Sequence, residues 1–419
     1  MGVVTELVCV ACGAAHDPGE VAYTCPRHAG LEGILDVSYD YDAAARAGFG
    51  PELVAGRSTT DSMRRYAELL PVADEATEAW PKDWIGRTPL IDVPEVAKRL
   101  GVRSLQVKDD GRLPTGSFKD RASVVAATRA RLAGHGRLTC SSTGNAASSL
   151  AGVCAHLGLE AFIFVPERAP EAKVAQLAIF GATVMLVGGS YDDAYYLCQE
   201  AAAAFGWYNR NCAVNPYLVE GKKTCGLELA EQVSDDPPDW ISVSVGDGCT
   251  VAGIHKGLTE MARFGFIERA PKLLAVQASG AAPIAHAFHA GTEDIHAQAA
   301  DTTADSIAVG RPRNAVKALR AVRDSGGTFV EVTDADITTA AVELASLGGV
   351  FAEPAGVAGI AGIARARAEG ILSGTEKVVH VATGNGLKDA AAARRAAPEP
   401  LRIAPDLEEV RALVERSAS

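Results

Sequence analysis

The stretch Pro114-Thr115-Gly116-Ser117-Phe118-Lys119-Asp120-Arg121 sets one lysine in a tight turn that opens into an alanine-rich segment. A lysine fixed there has a chemical use if it is buried. Desolvation disfavours the ammonium, the pKa falls, and the free amine can add to an aldehyde as a Schiff base and afterwards carry protons. The alternative is a surface lysine at a helix start. Three more turns carry groups that could work with it. Ser141-Ser142-Thr143-Gly144-Asn145-Ala146-Ala147-Ser148 presents hydroxyls, an amide and free N–H groups, which suits a carboxylate. Gly246-Asp247-Gly248-Cys249-Thr250 falls between a β-branched run and a helical pattern, where free N–H groups and the helix dipole can seat a phosphate. No Gly-Lys-Ser/Thr follows, and the loop comes too late in the chain for a dinucleotide fingerprint. The run Val378-Val379-His380-Val381-Ala382 ends in a glycine turn that carries Thr383.

The elements that must position these groups follow one rhythm. Short β-branched runs such as Ala161–Val165, Thr183–Val187 and Trp240–Val245 alternate with alanine- and leucine-rich segments of helical spacing. That alternation predicts an α/β fold with mainly parallel sheets. The helix after Trp240–Val245 carries Val251, Ile254, Leu258 and Met261 on one face.

With 419 residues, 48% of them hydrophobic, the chain can bury two ordinary cores. The 52 acidic residues against 40 basic give a net charge of −12, which argues against nucleic acid and anionic lipid as partners. Met1 to Gly13 lacks a charged segment followed by an apolar core, and no run of about eighteen apolar residues occurs, so no membrane association and a cytoplasmic location are expected. Nine cysteines are too sparse for a disulfide scaffold. Cys140, Cys154, Cys198, Cys212 and Cys225 read as packed thiols, and in the 246–250 loop the backbone of Cys249 should matter more than its thiol. His286, His289 and His296 read as non-ligands on the surface.

Taken jointly, the lysine turn and the three loops resemble the fold type II pyridoxal 5′-phosphate enzymes, most closely the threonine synthase family. The resemblance extends through Arg65–Pro71, Gly86–Leu90, Glu220-Gly221-Lys222-Lys223-Thr224, Val276-Gln277-Ala278 and Glu353-Pro354-Ala355-Gly356. It implies a tryptophan-synthase-β-like fold of two doubly wound domains. Residues 1–40 would be a zinc-ribbon-like segment and 41–118 an N-terminal arm with part of the large domain. Residues 119–209 would form a small, substrate-side domain, 210–395 the large domain that binds the cofactor's phosphate, and 396–419 a tail. It also implies a homodimer acting on a small amino acid. Lys119 would bind the cofactor covalently, with Phe118 flanking its ring. Asn145 would meet the 3′-oxygen, Gly246, Asp247, Gly248, Cys249 and Thr250 the phosphate, and Thr383 the pyridine nitrogen. Ser142, Thr143, Gly144 and Ala146 would meet the substrate. A neutral hydroxyl at the ring nitrogen suits elimination and replacement better than transamination.

Three positions depart from the family's pattern: Leu218 stands where an arginine for the substrate phosphate is usual, Ala146 where a threonine is, and Asp247 where an asparagine is. Losing one charge-assisted contact costs roughly 1.5 to 3 kcal/mol. Either Lys222 or the pair Arg311 and Arg313 compensates, or a paralogous β- or γ-elimination or replacement on a related amino acid is catalysed. A serine/threonine dehydratase, a cysteate-synthase-like β-replacement and a regulatory protein that merely binds the cofactor are the competing readings. Separately, Cys9-x-x-Cys12 and Cys25-x-x-His28, with twelve residues between the pairs, have the spacing of a structural zinc site with four protein ligands. A metal-free remnant is the alternative.

Overall fold

Strands covered on both faces must be apolar throughout, and the chain meets that demand most fully at β10 (Trp240–Ser244), where every residue is buried. The computed structural model describes residues 4–28, 32–57, 63–72, 80–81 and 84–418. Met1 to Val3, at the start of the stretch read above for a leader, lie outside the described residues.

Among the described residues the strands form three sheets. The N-terminal one is antiparallel, with β1 (Val4–Cys9) between β2 (Ala15–His16) and β3 (Leu35–Tyr39). The largest has six strands in the order β12-β11-β10-β13-β5-β4, namely Thr328–Val332, Lys272–Ala278, Trp240–Ser244, Lys377–Ala382, Ser104–Asp109 and Leu90–Asp92. All its pairings are parallel except that of β4 with β5. The third has the order β8-β7-β6-β9, namely Thr183–Val187, Glu160–Pro166, Arg137–Ser141 and Tyr208–Asn209, all parallel.

Two helices join the sheets mechanically. Helix Lys119–Leu132 follows β5 and leads to the four-stranded sheet, and helix Tyr217–Gln232 leads back from β9. They cross backbone against backbone because Gly221 has no side chain: a Cβ there would lie 2.3 Å from the carbonyl oxygen of Arg121. On its other side helix Tyr217–Gln232 meets helix Cys249–Arg263 equally closely, with a Cβ on Gly226 falling 2.2 Å from the Ile254 carbonyl oxygen. Arg121, fully buried at this junction, is bound by Asp110 at 2.6 Å and Glu228 at 2.8 Å, and Glu228 also pairs with Lys108 at 2.8 Å. Burial acts upward on the Glu228 carboxyl, but Arg121 and Lys108 outweigh it and hold the pKa far below the usual range.

The N-terminal sheet is clamped to the same helices. Tyr39 donates to Glu220 at 2.7 Å, and Lys256 pairs with Glu220 at 2.7 Å and Asp36 at 3.5 Å. Lys317 reaches the Leu35 carbonyl at 2.6 Å. After Ala396 the chain lies on the surface, with Leu401 and Leu407 exposed.

Candidate active site

Each of the four sequence turns lies at or just beyond the carboxyl end of a parallel strand, where open α/β sheets bind their ligands. The lysine turn follows β5 and is stitched to the end of β13: the Phe118 N–H donates to the Thr383 carbonyl at 2.9 Å, and Ser117 bridges Gly384. This brings Lys119 to Thr383, more than 250 residues away in sequence. Asp120 fixes the turn by accepting from the N–H and hydroxyl of Thr115 at 2.8 and 2.5 Å.

Lys119 opens into a cavity of about 110 Å³ whose walls include Gly246 to Thr250, Lys222, Cys212, Ser306 and Thr383. Burial, and then the ammonium of Lys222, lower the pKa of Lys119. The loop at the far end is shaped for close approach. Gly248, at φ +94°, caps helix Cys249–Arg263 without a side-chain hydrogen bond, which leaves first-turn N–H groups of that helix free. A Cβ on Gly246 would lie 2.9 Å from Ile307 Cα. Asp247 lies in the cavity wall, where its carboxylate accepts from the Arg313 N–H at 2.6 Å and the Asn314 amide at 3.2 Å, so it pins the neighbouring segment.

Cys212 and Cys249 depart from the sequence reading. Both thiols lie on Lys222, Cys212 at 3.2 Å and Cys249 closer still. A hydrogen bond from Cys249 and the charge of Lys222 hold the Cys212 thiol well below its usual pKa, while Cys249 is correspondingly raised. Cys212 is therefore a cavity-wall thiol in contact with the Lys222 ammonium rather than a merely packed one.

A second cavity adjoins the first, sharing Ser306 and Ala355, and is lined by Thr143, Gly144, Asn145, Glu353, Lys173 and Lys388 among others. Asn145 starts helix Asn145–Leu157, and its Nδ2 donates to Glu353 at 2.7 Å and Ser306 at 3.3 Å. Burial raises the Glu353 pKa, with the charge of Lys119 opposing. Ser142 accepts from the Gly144 N–H at 3.1 Å, and Ala146 is half-buried on the first turn of the helix. Phe118 is fully buried in the core behind the lysine and is not among the wall residues of either cavity.

The family departures now have locations. Leu218 is fully buried in the core around the four-stranded sheet and lines neither cavity, so its side chain bears on a ligand only through packing. Arg311 and Arg313 line a separate groove beside Val10 and Glu32, and Lys222 sits at the glycine-loop end. Neither supplies a cation to the second cavity. Lys173 and Lys388 do, and sequence reasoning passed over both, although Lys388 comes only five residues after Thr383.

At the N-terminal sheet, the ligand atoms of Cys9, Cys12, Cys25 and His28 all lie within 4.8 Å of one another. The His28 Nε2 is buried with no hydrogen-bond partner. Tetrahedral zinc with Zn–S bonds of about 2.3 Å separates its sulfurs by about 3.8 Å, so this donor set fits that ion.

The two cavities together fit pyridoxal phosphate. A buried lysine of lowered pKa stands between a helix N-terminus that can take a phosphate and a buried amide and hydroxyl that can meet the ring. A family profile described as pyridoxal-phosphate dependent enzyme matches residues 82–384, and the chain belongs to that family. Pyridoxal 5′-phosphate is its cofactor. Within it the kinship is with the threonine synthases. The threonine synthase of Methanocaldococcus jannaschii is 38% identical over 95% of this chain and 96% of its own, and that of Methanosarcina acetivorans 36% identical over 97% and 98%. Among solved structures, threonine deaminase isoform 2 of Solanum lycopersicum is 22% identical, covering 77% of this chain and 89% of its own with a TM-score of 0.63. Maize serine racemase is 21% identical, over 79% and 92%, with a TM-score of 0.64. At these identities the two structures bear on the fold alone.

Proposed function

We propose that the protein is a threonine synthase, converting O-phospho-L-homoserine and water into L-threonine and phosphate. The observation that carries this reading is the 38% identity with a threonine synthase across 95% of this chain and 96% of that relative. The dehydratase reading has only a likeness of fold behind it. The β-replacement reading rested on the departures at Leu218, Ala146 and Asp247, of which Leu218 lines neither cavity and the Asp247 carboxylate is engaged by Arg313 and Asn314. A regulatory protein would have little use for the lysine, amide and hydroxyl retained together.

Pyridoxal phosphate, when bound, supplies an electron sink conjugated to the substrate's Cα. The chain's own residues do the rest. Lys119 Nζ, less basic than an ordinary lysine, takes the proton from Cα and later returns it. Gly246 to Thr250 hold the cofactor's phosphate, Asn145 its 3′-oxygen, and Thr383 its ring nitrogen through a neutral hydroxyl. The turn Ser142 to Ala146 offers hydroxyl and N–H donors to the substrate carboxylate. The Cγ–O bond breaks with its electron pair going to phosphate as Cβ loses a proton; Cγ then gains a proton, and the hydroxyl of water adds at Cβ.

Residues 119–209 serve as the substrate-side domain and 210–395 as the large one, between an N-terminal segment 1–40 and a tail 396–419. The ribbon binds one structural zinc through Cys9, Cys12, Cys25 and His28, with no open position for chemistry. The working form is a cytoplasmic homodimer. Exposed Ile179, Leu186 and Phe205 offer apolar surface for a second copy, and among the described residues no helix is long and apolar enough to cross a membrane.

Purified holoenzyme should release threonine and phosphate from phosphohomoserine in equal amounts, and Lys119→Ala should lower turnover by about 10²- to 10⁴-fold or more. Keto acid from threonine, with no threonine from phosphohomoserine, would sink the proposal.

A further inference from the structure

Lys222 carries a fully buried ammonium whose hydrogen-bond acceptors are two sulfurs. Cys212 Sγ lies 3.2 Å from its Nζ and Cys249 Sγ closer still, and all three residues line the cavity that holds Lys119. A buried cation is ordinarily matched by carboxylates, yet among the described residues none forms an ion pair with Lys222. The cavity, at about 110 Å³, has room for a molecule little larger than water.

The two thiols are not equivalent. Cys212 also accepts from the Arg210 guanidinium at 3.6 Å, so two buried cations face its sulfur. Cys249 shares the Lys222 ammonium but donates on its other side to the Asp247 carboxylate at 3.7 Å. Neighbouring cations favour a thiolate and a neighbouring carboxylate opposes one, which makes Cys212 the nucleophile of the two. The hydrogen bond from Cys249 and the charge of Lys222 lower the Cys212 pKa, whereas burial raises those of Cys140, Cys154, Cys198 and Cys225.

The pair also spans the cleft. Cys212 lies in the link from β9 of the four-stranded sheet to helix Tyr217–Gln232, and Cys249 opens the helix that follows β10 of the six-stranded one. Asn314 already ties the two segments, its amide donating to the Cys212 carbonyl at 3.3 Å and to the Asp247 carboxylate at 3.2 Å. A covalent bond between the sulfurs would join the lobes through the wall of the phosphate seat.

We propose that Cys212 and Cys249 are a reversible redox pair, closed by hydrogen peroxide into a disulfide that staples the cleft and bars the cofactor. The Cys212 thiolate attacks one peroxide oxygen, the O–O bond breaks, and the departing hydroxide takes up the proton Cys212 had lost and leaves as water. The Cys249 sulfur then attacks the Cys212 sulfenic acid; the S–S bond forms, the S–O bond breaks, and the hydroxyl leaves as water with the Cys249 proton. In sum the two thiols give up two electrons and one peroxide is reduced to two waters. A dithiol reductant reverses the bond. That closure bars the cofactor rests on the reading that Gly246 to Thr250 hold its phosphate.

The test treats apoprotein and holoenzyme with hydrogen peroxide, blocks the remaining thiols and maps peptides by mass, a measurement that needs no variant to fold. Apoprotein should yield one peptide pair joined through Cys212 and Cys249, and dithiothreitol should part it. Once about nine in ten chains are linked, uptake of pyridoxal phosphate, followed by the absorption of the bound cofactor, should fall about tenfold, in proportion to the open fraction. Cys212→Ser and Cys249→Ser, each compared with itself before and after peroxide, should show no such fall. Holoenzyme should link more slowly, because the phosphate fills the seat. Apoprotein in which the two cysteines stay unlinked overturns the proposal and leaves the phosphate seat untouched. A link that forms equally fast in holoenzyme and leaves uptake undiminished overturns the seat, and the gating with it, while the disulfide stands.

Discussion

Asn145 and Glu353 meet across the cleft, the amide Nδ2 donating to the carboxylate at 2.7 Å. The loop that ends β6 in the four-stranded sheet is thereby tied to helix Pro354–Ala368, which packs on the six-stranded one. The bond joins the part of the site that would grip the substrate to the part that holds the rest of the cleft.

Glu353→Gln keeps the acceptor oxygen and removes the charge. Burial raises the Glu353 pKa in the fold, so its contribution to stability is full below the unfolded-state value of about 4.3 and is lost as pH rises through the folded value. The variant should therefore gain on the wild type as pH is raised, seen as a melting-temperature difference that grows in its favour from pH 5 to pH 8 in the apoprotein. A difference that shrinks or reverses would contradict the sign.

The Arg121–Glu228–Asp110–Lys108 cluster should respond to acid in the opposite sense. Glu228 has a depressed pKa, so its contribution is present above the unfolded value and is lost as pH falls toward the folded one. Arg121→Met leaves two buried carboxylates short of a partner and should cost about 3–5 kcal/mol in chemical denaturation at neutral pH. Glu228→Gln should flatten the acid limb of the stability profile below about pH 4.

How much of this site could be read from the sequence depended on how local each feature is. The Lys119 turn, the 141–148 turn and the 246–250 loop are each a strand end, a glycine and a helix start within a dozen residues, and that pattern survives in one dimension. The parallel α/β rhythm was legible for the same reason. The Asn145–Glu353 bond spans 208 residues and the Lys388–Gln176 contact 212, and no local periodicity marks either. Cys212 read as a packed thiol because local spacing does not mark Lys222 as its partner, and only the return of helix Tyr217–Gln232 brings that lysine beside it. Leu218 looked like a loss of function in a motif, but its side chain points into the core.

Metal removal tests the ribbon. One zinc per chain is expected from protein purified without chelator. Stripping it, or substituting Cys9→Ser, should lower the melting temperature and expose the segment before Tyr39 to protease, with little change in the absorption of the bound cofactor. Metal analysis that finds no zinc would remove the site from consideration.

Gly226→Ala probes the crossing of helices Tyr217–Gln232 and Cys249–Arg263. The new methyl would meet the Ile254 carbonyl oxygen at 2.2 Å, with backbone on both sides and no flexible side chain to yield. Overpacking of this kind should cost about 1–3 kcal/mol, and cofactor affinity should fall with it, because the displaced helix carries the glycine loop. Alanine at the exposed, positive-φ Gly134 should cost stability alone.

Helix Tyr217–Gln232 touches the lysine's helix at Gly221 and the glycine loop's helix at Gly226, with bare backbone at both contacts. At both crossings the distance between the Lys119 turn and the glycine loop is limited by peptide atoms. The protein carries a caliper cut to one length, and because no side chain forms its jaws, the gauge can be lost by substitution at either glycine but cannot be finely retuned.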